Sequence, residues 1–213
     1  VVRARGVHDV LRNLSLLEMD FESPVKIPKL NLPIEQGPRA RFISEIEDRK
    51  PVVLVPGSVW ATKRWDWKGY RELASYLISR GIPVVVAGSK EERDLCDRVC
   101  KDLDVKNMAG ETNISEFVAL IAGARLVVCN DSMALHVASS FLTPTVAIFC
   151  STSPSFGFGP WNNANSIVVE REDLDCKPCG RHGSSRCPLG TEECMVGLSS
   201  DRVISALEKV MNG

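Results

Sequence analysis

The sequence has almost no net charge: 26 Lys and Arg stand against 27 Asp and Glu in 213 residues, a formal net charge of −1. A near-neutral chain has no general electrostatic hold on nucleic acid or anionic lipid, so no nucleic-acid partner is expected and only a local basic patch could act. Long hydrophobic runs are missing as well. The longest unbroken apolar stretch, Phe117–Ala122, falls far short of the ~20 residues that span a bilayer. Aromatic residues are scarce at 6%, yet apolar residues total 44% and charged residues 25%, a balance that supports a sizeable core and excludes disorder and low-complexity repeats. The first residue is Val, and His8 and Asp9 interrupt any apolar stretch in Val1–Leu11, so that segment is not a secretory leader. The length fits one large domain, or one domain with a piece of another, and the chain is read as a fragment of something longer.

What is present is a regular alternation. Val7–Met19 carries Val10, Leu11, Leu14 and Leu17 at helical spacing. Residues 20–40, with Pro24, Pro28, Pro33, Gly37 and Pro38, read as a connector, and Ala40–Asp48 as a short helix. From Pro51 onward strands and helices alternate. The strands are Val52–Val55, Pro83–Ala87, Val105–Met108, Leu126–Cys129 and Thr145–Phe149, with a sixth at Ile167–Val169. Helices are expected over Gly69–Arg80, Lys90–Leu103, Ile114–Gly123 and Ser132–Phe141, and from Ser199 onward. Continuous apolar strands separated by amphipathic helices predict a Rossmann-like, doubly wound parallel α/β sheet, whose ligands bind at the carboxyl ends of the strands.

The loops at those ends carry the candidate chemistry. After the first strand, Pro56–Trp65 supplies Gly57 for close backbone approach, hydroxyls from Ser58 and Thr62, and positive charge from Lys63 and Arg64, the combination phosphate oxygens need; a solvated basic loop is the other reading. After the fourth, Asp131 is placed to cap a helix that Ser132 and Met133 open. Its unpaired N–H groups and partial positive charge would attract an anion, with His136 one turn along; an ordinary helix cap is the plainer alternative. Glu91 and Glu92 follow the second strand, as helix-capping carboxylates or as a ribose contact. Hydroxyls in Cys150–Ser153 follow the fifth. A hydrolase triad is rejected, because Asp131, Ser132 and His136 share one short stretch without the bracketing glycines of a nucleophile elbow. No strand is followed by G-x-G-x-x-G, which removes a nicotinamide dinucleotide reading.

Cysteine usage divides the chain. Cys96, Cys100, Cys129 and Cys150 sit in periodic apolar surroundings and read as small buried hydrophobes. Cys176, Cys179, Cys187 and Cys194 crowd into a Gly- and Pro-containing stretch, with His182 beside them. The C-x-x-C spacing suits four thiolates around a structural zinc, but only one such pair is present, so free thiols and disulfides stay open.

The segments Pro56–Trp65, Val84–Arg93, Asn130–Ser139 and Pro144–Pro154, in that order, resemble glycosyltransferase family 9, the bacterial heptosyltransferases of the lipopolysaccharide inner core. The resemblance covers about Pro51 to Met211. It implies the GT-B architecture, two Rossmann-like domains facing across a cleft, of which this chain looks like the C-terminal, donor-binding one. Residues 1–50 would be the interdomain segment and the tail of a missing N-terminal domain, and 51–213 the nucleotide-sugar-binding domain with a Cys-rich insertion at 174–196. By the same resemblance Ser58 and Lys63 would bind the donor diphosphate, together with Asp131, Ser132 and Met133. His136 would support that loop, Glu92 or Glu91 would meet the ribose, and Thr152 would line the pocket. The donor would be a nucleotide-sugar such as ADP-heptose, and the acceptor a lipid-linked oligosaccharide. No cofactor would be required, and the location would be cytoplasmic or peripheral at the inner membrane. The family usually has Gly where Met133 stands, Pro where Asp66 stands and Gly-Pro where Cys150-Ser151 stand, so the sugar is left open. Two other classes remain: a non-catalytic nucleotide- or sugar-binding module, and a metal-binding or redox module on an α/β scaffold.

Overall fold

Strands of Val, Ile and Leu with no polar face can be satisfied only by helices on both sides of the sheet, and that is the arrangement found in the computed structural model, which describes residues 7–15 and 49–212. Six strands form one sheet: β1 (Val52–Val55), β2 (Val84–Val86), β3 (Lys106–Asn107), β4 (Leu126–Asn130), β5 (Thr145–Phe149) and β6 (Ser166–Glu170). The spatial order is β3-β2-β1-β4-β5-β6, and every neighbouring pair is parallel. The helices are α1 (Asp9–Ser15), α2 (Trp67–Ser79), α3 (Arg93–Cys100), α4 (Ile114–Gly123), α5 (Met133–Phe141), the short α6 (Glu193–Val196) and α7 (Ser200–Asn212).

All residues of β1, β2, β4 and β5 are buried. Their side chains alternate between two cores with the period of a strand. Val52 and Leu54 pack with Leu73 and Leu77 of α2, Val99 of α3 and Leu207 of α7. Val53 and Val55 pack on the opposite face with Phe117 and Leu120 of α4 and Leu135 of α5.

The differences from the sequence reading are local. The helix expected over Lys90–Leu103 starts as a 3-10 turn, Lys90–Glu92, closed by a capping box between Ser89 and Glu92, and its α-helical part stops at Cys100. The third strand shrinks to Lys106–Asn107, a sheet edge whose residues are only partly covered. In the first expected helix, residues 9–15 are helical. Its continuation over 16–19, the connector at 20–40 and the helix expected over Ala40–Asp48 lie outside the described residues. The short α1 packs on the loop that follows β5. The Asp9 N–H donates to the Gly157 carbonyl at 2.8 Å, Arg12 Nη2 to the Phe156 carbonyl at 2.8 Å, and the His8 ring lies 4.4 Å from that of Trp161.

Trp65 ties the end of the β1 loop to the core. It is 1% exposed, and its indole N–H donates to the Leu198 carbonyl at 2.8 Å. Its ring fills the space beside Gly69, where an added Cβ would stand 2.1 Å from Trp65 Cζ2. Helix propensity alone would make Gly69→Ala stabilising by about 1 kcal/mol. Overpacking against the indole reverses the sign, and we expect a net loss of about 1–3 kcal/mol, read as a lower denaturant midpoint at unchanged m-value.

Candidate functional site

The chain builds β1, β2 and β3 outward in one direction and returns to place β4 on the other side of β1. The loops leaving the carboxyl ends of β1 and β4 therefore part to opposite faces and leave a crevice between them. One side chain fastens the two sides. Asn130, the last residue of β4, is fully buried. Its Oδ1 accepts from the Trp65 N–H at 3.0 Å, and its Nδ2 donates to the Pro56 carbonyl at 2.8 Å. The amide thus grips both ends of the Pro56–Trp65 loop.

On this frame the expected site residues fall into two adjoining groups. In the first, Lys63 and Asp131 form an ion pair, Nζ to Oδ2 at 2.7 Å, with side-chain exposures of 12% and 4%. The Thr152 hydroxyl donates to the same Asp131 oxygen at 2.7 Å, and the Ser58 hydroxyl donates to the Asp131 carbonyl at 3.3 Å. An ammonium carries three N–H donors, so the pairing with Asp131 fixes Lys63 without exhausting it. His136 belongs to this group by charge. Desolvation by surrounding protein lowers its imidazole pKa, Asp131 opposes that, and His8 and Lys63 add to it.

The second group lines a cavity of about 330 Å³ bounded by the ends of β1 to β4. Ser58, Glu92, Ser132 and Met133 all contribute to its wall, with Val55 and Phe117 at its apolar side. The Glu92 carboxylate accepts from the Ser89 N–H at 2.8 Å and lies directly over Gly57, where a Cβ would stand 2.0 Å from Oε1. Gly57 thus admits the carboxylate. Glu91 does not line the cavity; its carboxyl is held below the usual range by its own backbone N–H and by Ser89. Met133 is 56% exposed at the cavity wall. A larger cavity, about 780 Å³, opens at the amino ends of the strands beside Pro51, Val84 and Lys106, opposite the end where parallel sheets take ligands.

The expected cap of α5 is corrected. Ser132, not Asp131, is the N-cap, and it makes no side-chain capping bond. The Asp131 carboxylate is already engaged by Lys63 and Thr152, so it does not reach the helix end. The Ser132 hydroxyl oxygen is buried with no hydrogen-bond partner. The nine-residue α5 therefore opens onto the cavity wall without a capping side chain, at an end that carries about half a positive charge. Thr152, like Lys63 and Asp131, does not line this cavity; its hydroxyl belongs with them in the first group.

Among the described residues all eight cysteines are free thiols, and no group of three or more His, Cys, Asp or Glu side chains is arranged to hold a metal ion. His182 packs on Phe158, ring centroids 5.9 Å apart. The thiols differ sharply in character. Burial pushes Cys96 up to about 12 and Cys100 to about 11, and drives Cys129 and Cys150 strongly upward. Cys187 is pulled down, first by the Glu192 N–H and further by those of Leu189, Gly190 and Thr191. Sequence reasoning missed this, as it missed Asn130, since neither a sulfur facing a turn of N–H groups nor a buried amide has a local spacing signature.

A parallel sheet in this order, with a fixed cation and a helix N-terminus at its switch point, is the architecture of nucleotide-binding α/β domains. The profile of glycosyltransferase family 9 (heptosyltransferase) matches residues 1–188, and the chain belongs to that family. It is 29% identical over 209 residues to lipooligosaccharide heptosyltransferase 2 of Campylobacter jejuni, covering 95% of this chain and 64% of the relative. Among solved structures it is similar to the E. coli ADP-heptose lps heptosyltransferase II, with a TM-score of 0.71 and 25% identity, over 89% of this chain and 56% of that one. A family 9 glycosyl transferase from Veillonella parvula shares the fold at a TM-score of 0.78 and 21% identity, over 97% of this chain and 60% of that one. The chain thus spans somewhat less than two thirds of the length of these relatives. Among the described residues no helix is long and apolar enough to cross a membrane.

The thiol contrast is directly measurable. With iodoacetamide at pH 8 under native conditions, Cys187 is expected to alkylate first, while Cys129 and Cys150 stay unmodified until the chain is unfolded, as read by peptide mass spectrometry.

Proposed function

We propose that this chain is the donor-binding domain of an inverting glycosyltransferase that moves a heptose from a nucleotide-sugar such as ADP-heptose to a lipopolysaccharide core acceptor. The observation that carries the reading is the pairing of two features at one switch point: a cavity of about 330 Å³ with an apolar wall and a carboxylate, Glu92, and beside it a fixed ammonium, Lys63, near an uncapped helix start. The first suits a nucleoside, with Glu92 accepting from ribose hydroxyls. The second suits the linked phosphates. The similar E. coli structure, that of an ADP-heptose lps heptosyltransferase, supports the choice of donor.

In this reading the bond from the anomeric carbon to the β-phosphate oxygen breaks as the acceptor hydroxyl attacks from the opposite face. Negative charge then grows on the departing diphosphate. Lys63 and the α5 N-terminus stabilise that charge most strongly in the transition state, which is where electrostatic preorganisation accelerates a reaction. Asp131, itself held by the Thr152 hydroxyl, holds the ammonium, and the backbone N–H of Met133 is offered with its side chain turned largely to solvent. We assign the acceptor site and the base that deprotonates the acceptor to a region with no counterpart in these 213 residues, and the work to the cytoplasmic face of the inner membrane.

Two outcomes are expected. In a thermal-shift series with ADP, UDP, GDP and their sugars, an adenine nucleotide raises the midpoint most, because a ligand bound only by the folded state must stabilise it. Lys63→Ala weakens ADP binding by about tenfold or more in calorimetry run below the variant's own unfolding temperature, on the scale of a charge-assisted hydrogen bond. Equal affinity in the two proteins removes Lys63 from the site. The temperature control is needed because the substitution strands the nearly buried Asp131 carboxylate.

A further inference from the structure

Lys63 closes a 3-10 turn of three residues, Ala61–Lys63, which has no side-chain cap of its own. Its predecessors Val59 and Trp60 are exposed at 88% and 42%, while Thr62, inside the turn, is 3% exposed. Such a short turn does not hold a lysine by itself, because the long side chain has many rotamers to lose. Something outside the turn fixes it.

We infer that Thr62 is a positioning residue for Lys63, and that the cysteine-bearing stretch 174–196 belongs through it to the diphosphate site. The inference rests on the functional reading above. The Thr62 hydroxyl donates to the Ser184 carbonyl at 3.0 Å and accepts from the Ser184 N–H at 2.8 Å and from the Ser151 hydroxyl at 3.0 Å. One proton and two lone pairs are all a hydroxyl has, so its capacity is fully used. The main chain repeats the link. The Thr62 N–H donates to the Ser184 carbonyl at 3.1 Å, the Ser151 N–H to the Thr62 carbonyl at 3.2 Å, and the Cys179 N–H to the Ser151 carbonyl at 2.9 Å. Three loops far apart in sequence, those after β1 and β5 and the cysteine-bearing stretch, meet on this one residue. Gly183 completes the seat. It has φ of +78°, and a Cβ there would stand 3.0 Å from Lys63 Cγ and 3.1 Å from Trp60 Cβ. The lysine stem is thus backed by Gly183, and its ammonium is drawn to Asp131.

Thr62 is buried and would touch no ligand, so its effect must appear through the phosphates alone. The test compares ADP with adenosine by calorimetry on the chain and on Thr62→Val, which keeps the shape and removes the hydroxyl, and Thr62→Ser, which keeps the hydroxyl. Expected for Thr62→Val are an adenosine affinity unchanged within about twofold and an ADP affinity reduced about tenfold, the scale of a buried hydrogen bond lost with its partners stranded. Thr62→Ser should recover most of the ADP affinity. Gly183→Ala, which forces a side chain against the lysine stem, should repeat the selective loss if Thr62→Val does not fold. ADP bound as tightly by the folded variants as by the parent overturns the inference, and so does a parallel loss of adenosine and ADP, the mark of a merely structural role. A parent chain that binds ADP no better than adenosine overturns the assignment of Lys63 to phosphate instead.

Discussion

The carboxamide of Asn130 is the constraint on which the candidate site depends. A parallel sheet sends the loops after β1 and β4 to opposite faces, and nothing in the sheet's own hydrogen bonding sets their separation. Asn130 sets it, by accepting from Trp65 and donating to Pro56 with no exposure to solvent. A buried amide left half-paired would cost about 1–3 kcal/mol for each stranded group, so the loop geometry that satisfies it is strongly preferred. Trp65 then passes the constraint to the core through Leu198 and Gly69, and the ten residues from Pro56 to Trp65 have both ends anchored before any ligand is considered.

Within that loop, charge is organised by burial. Asp131 is 3% exposed and would be costly to ionise alone. Lys63 and the Thr152 hydroxyl converge on its Oδ2, which offsets the charge and fixes the ammonium. The pair is weak evidence for stability as such, since desolvation offsets much of the attraction. Its value is geometric: a flexible side chain is held at one place beside the start of α5, so that little reorganisation remains for binding.

Much of this fold was legible in the sequence because its signals are local. Runs such as Val52–Val55 and Thr145–Phe149, with amphipathic helices between them, declare a doubly wound sheet, and the sheet declares which loops matter. Ser58, Lys63, Glu92, Asp131, Ser132 and Met133 were all found in those loops. What was not legible depends on partners distant in sequence. Asn130 answers to Trp65 across 65 positions, and Thr62 to Ser184 across 122. The misplaced cap has the same origin. An aspartate before a helix is a fair N-cap by local rule, but Lys63 and Thr152, brought in by other strands, compete for its carboxylate. The two edge strands missed in opposite directions: β3 is shorter than its apolar signal and β6 longer, since pairing with β2 and β5, distant in sequence, sets where each ends.

The Lys63–Asp131 pair has a consequence for how a ligand arrives. Around the crevice, Lys63 and Arg64 supply two positive charges, and Asp131 and Glu92 supply two negative ones. Arg64 donates its Nε–H to the Ser58 carbonyl at 2.8 Å, inside the same loop. These four side chains cancel formally, which leaves the partial positive charge of the α5 start as the uncompensated one at the cavity wall. An anion entering the crevice meets donors whose charge is already balanced within the protein, so the attraction it feels is short in range. Discrimination between nucleotides would then rest less on how fast one arrives than on how long the visitor stays.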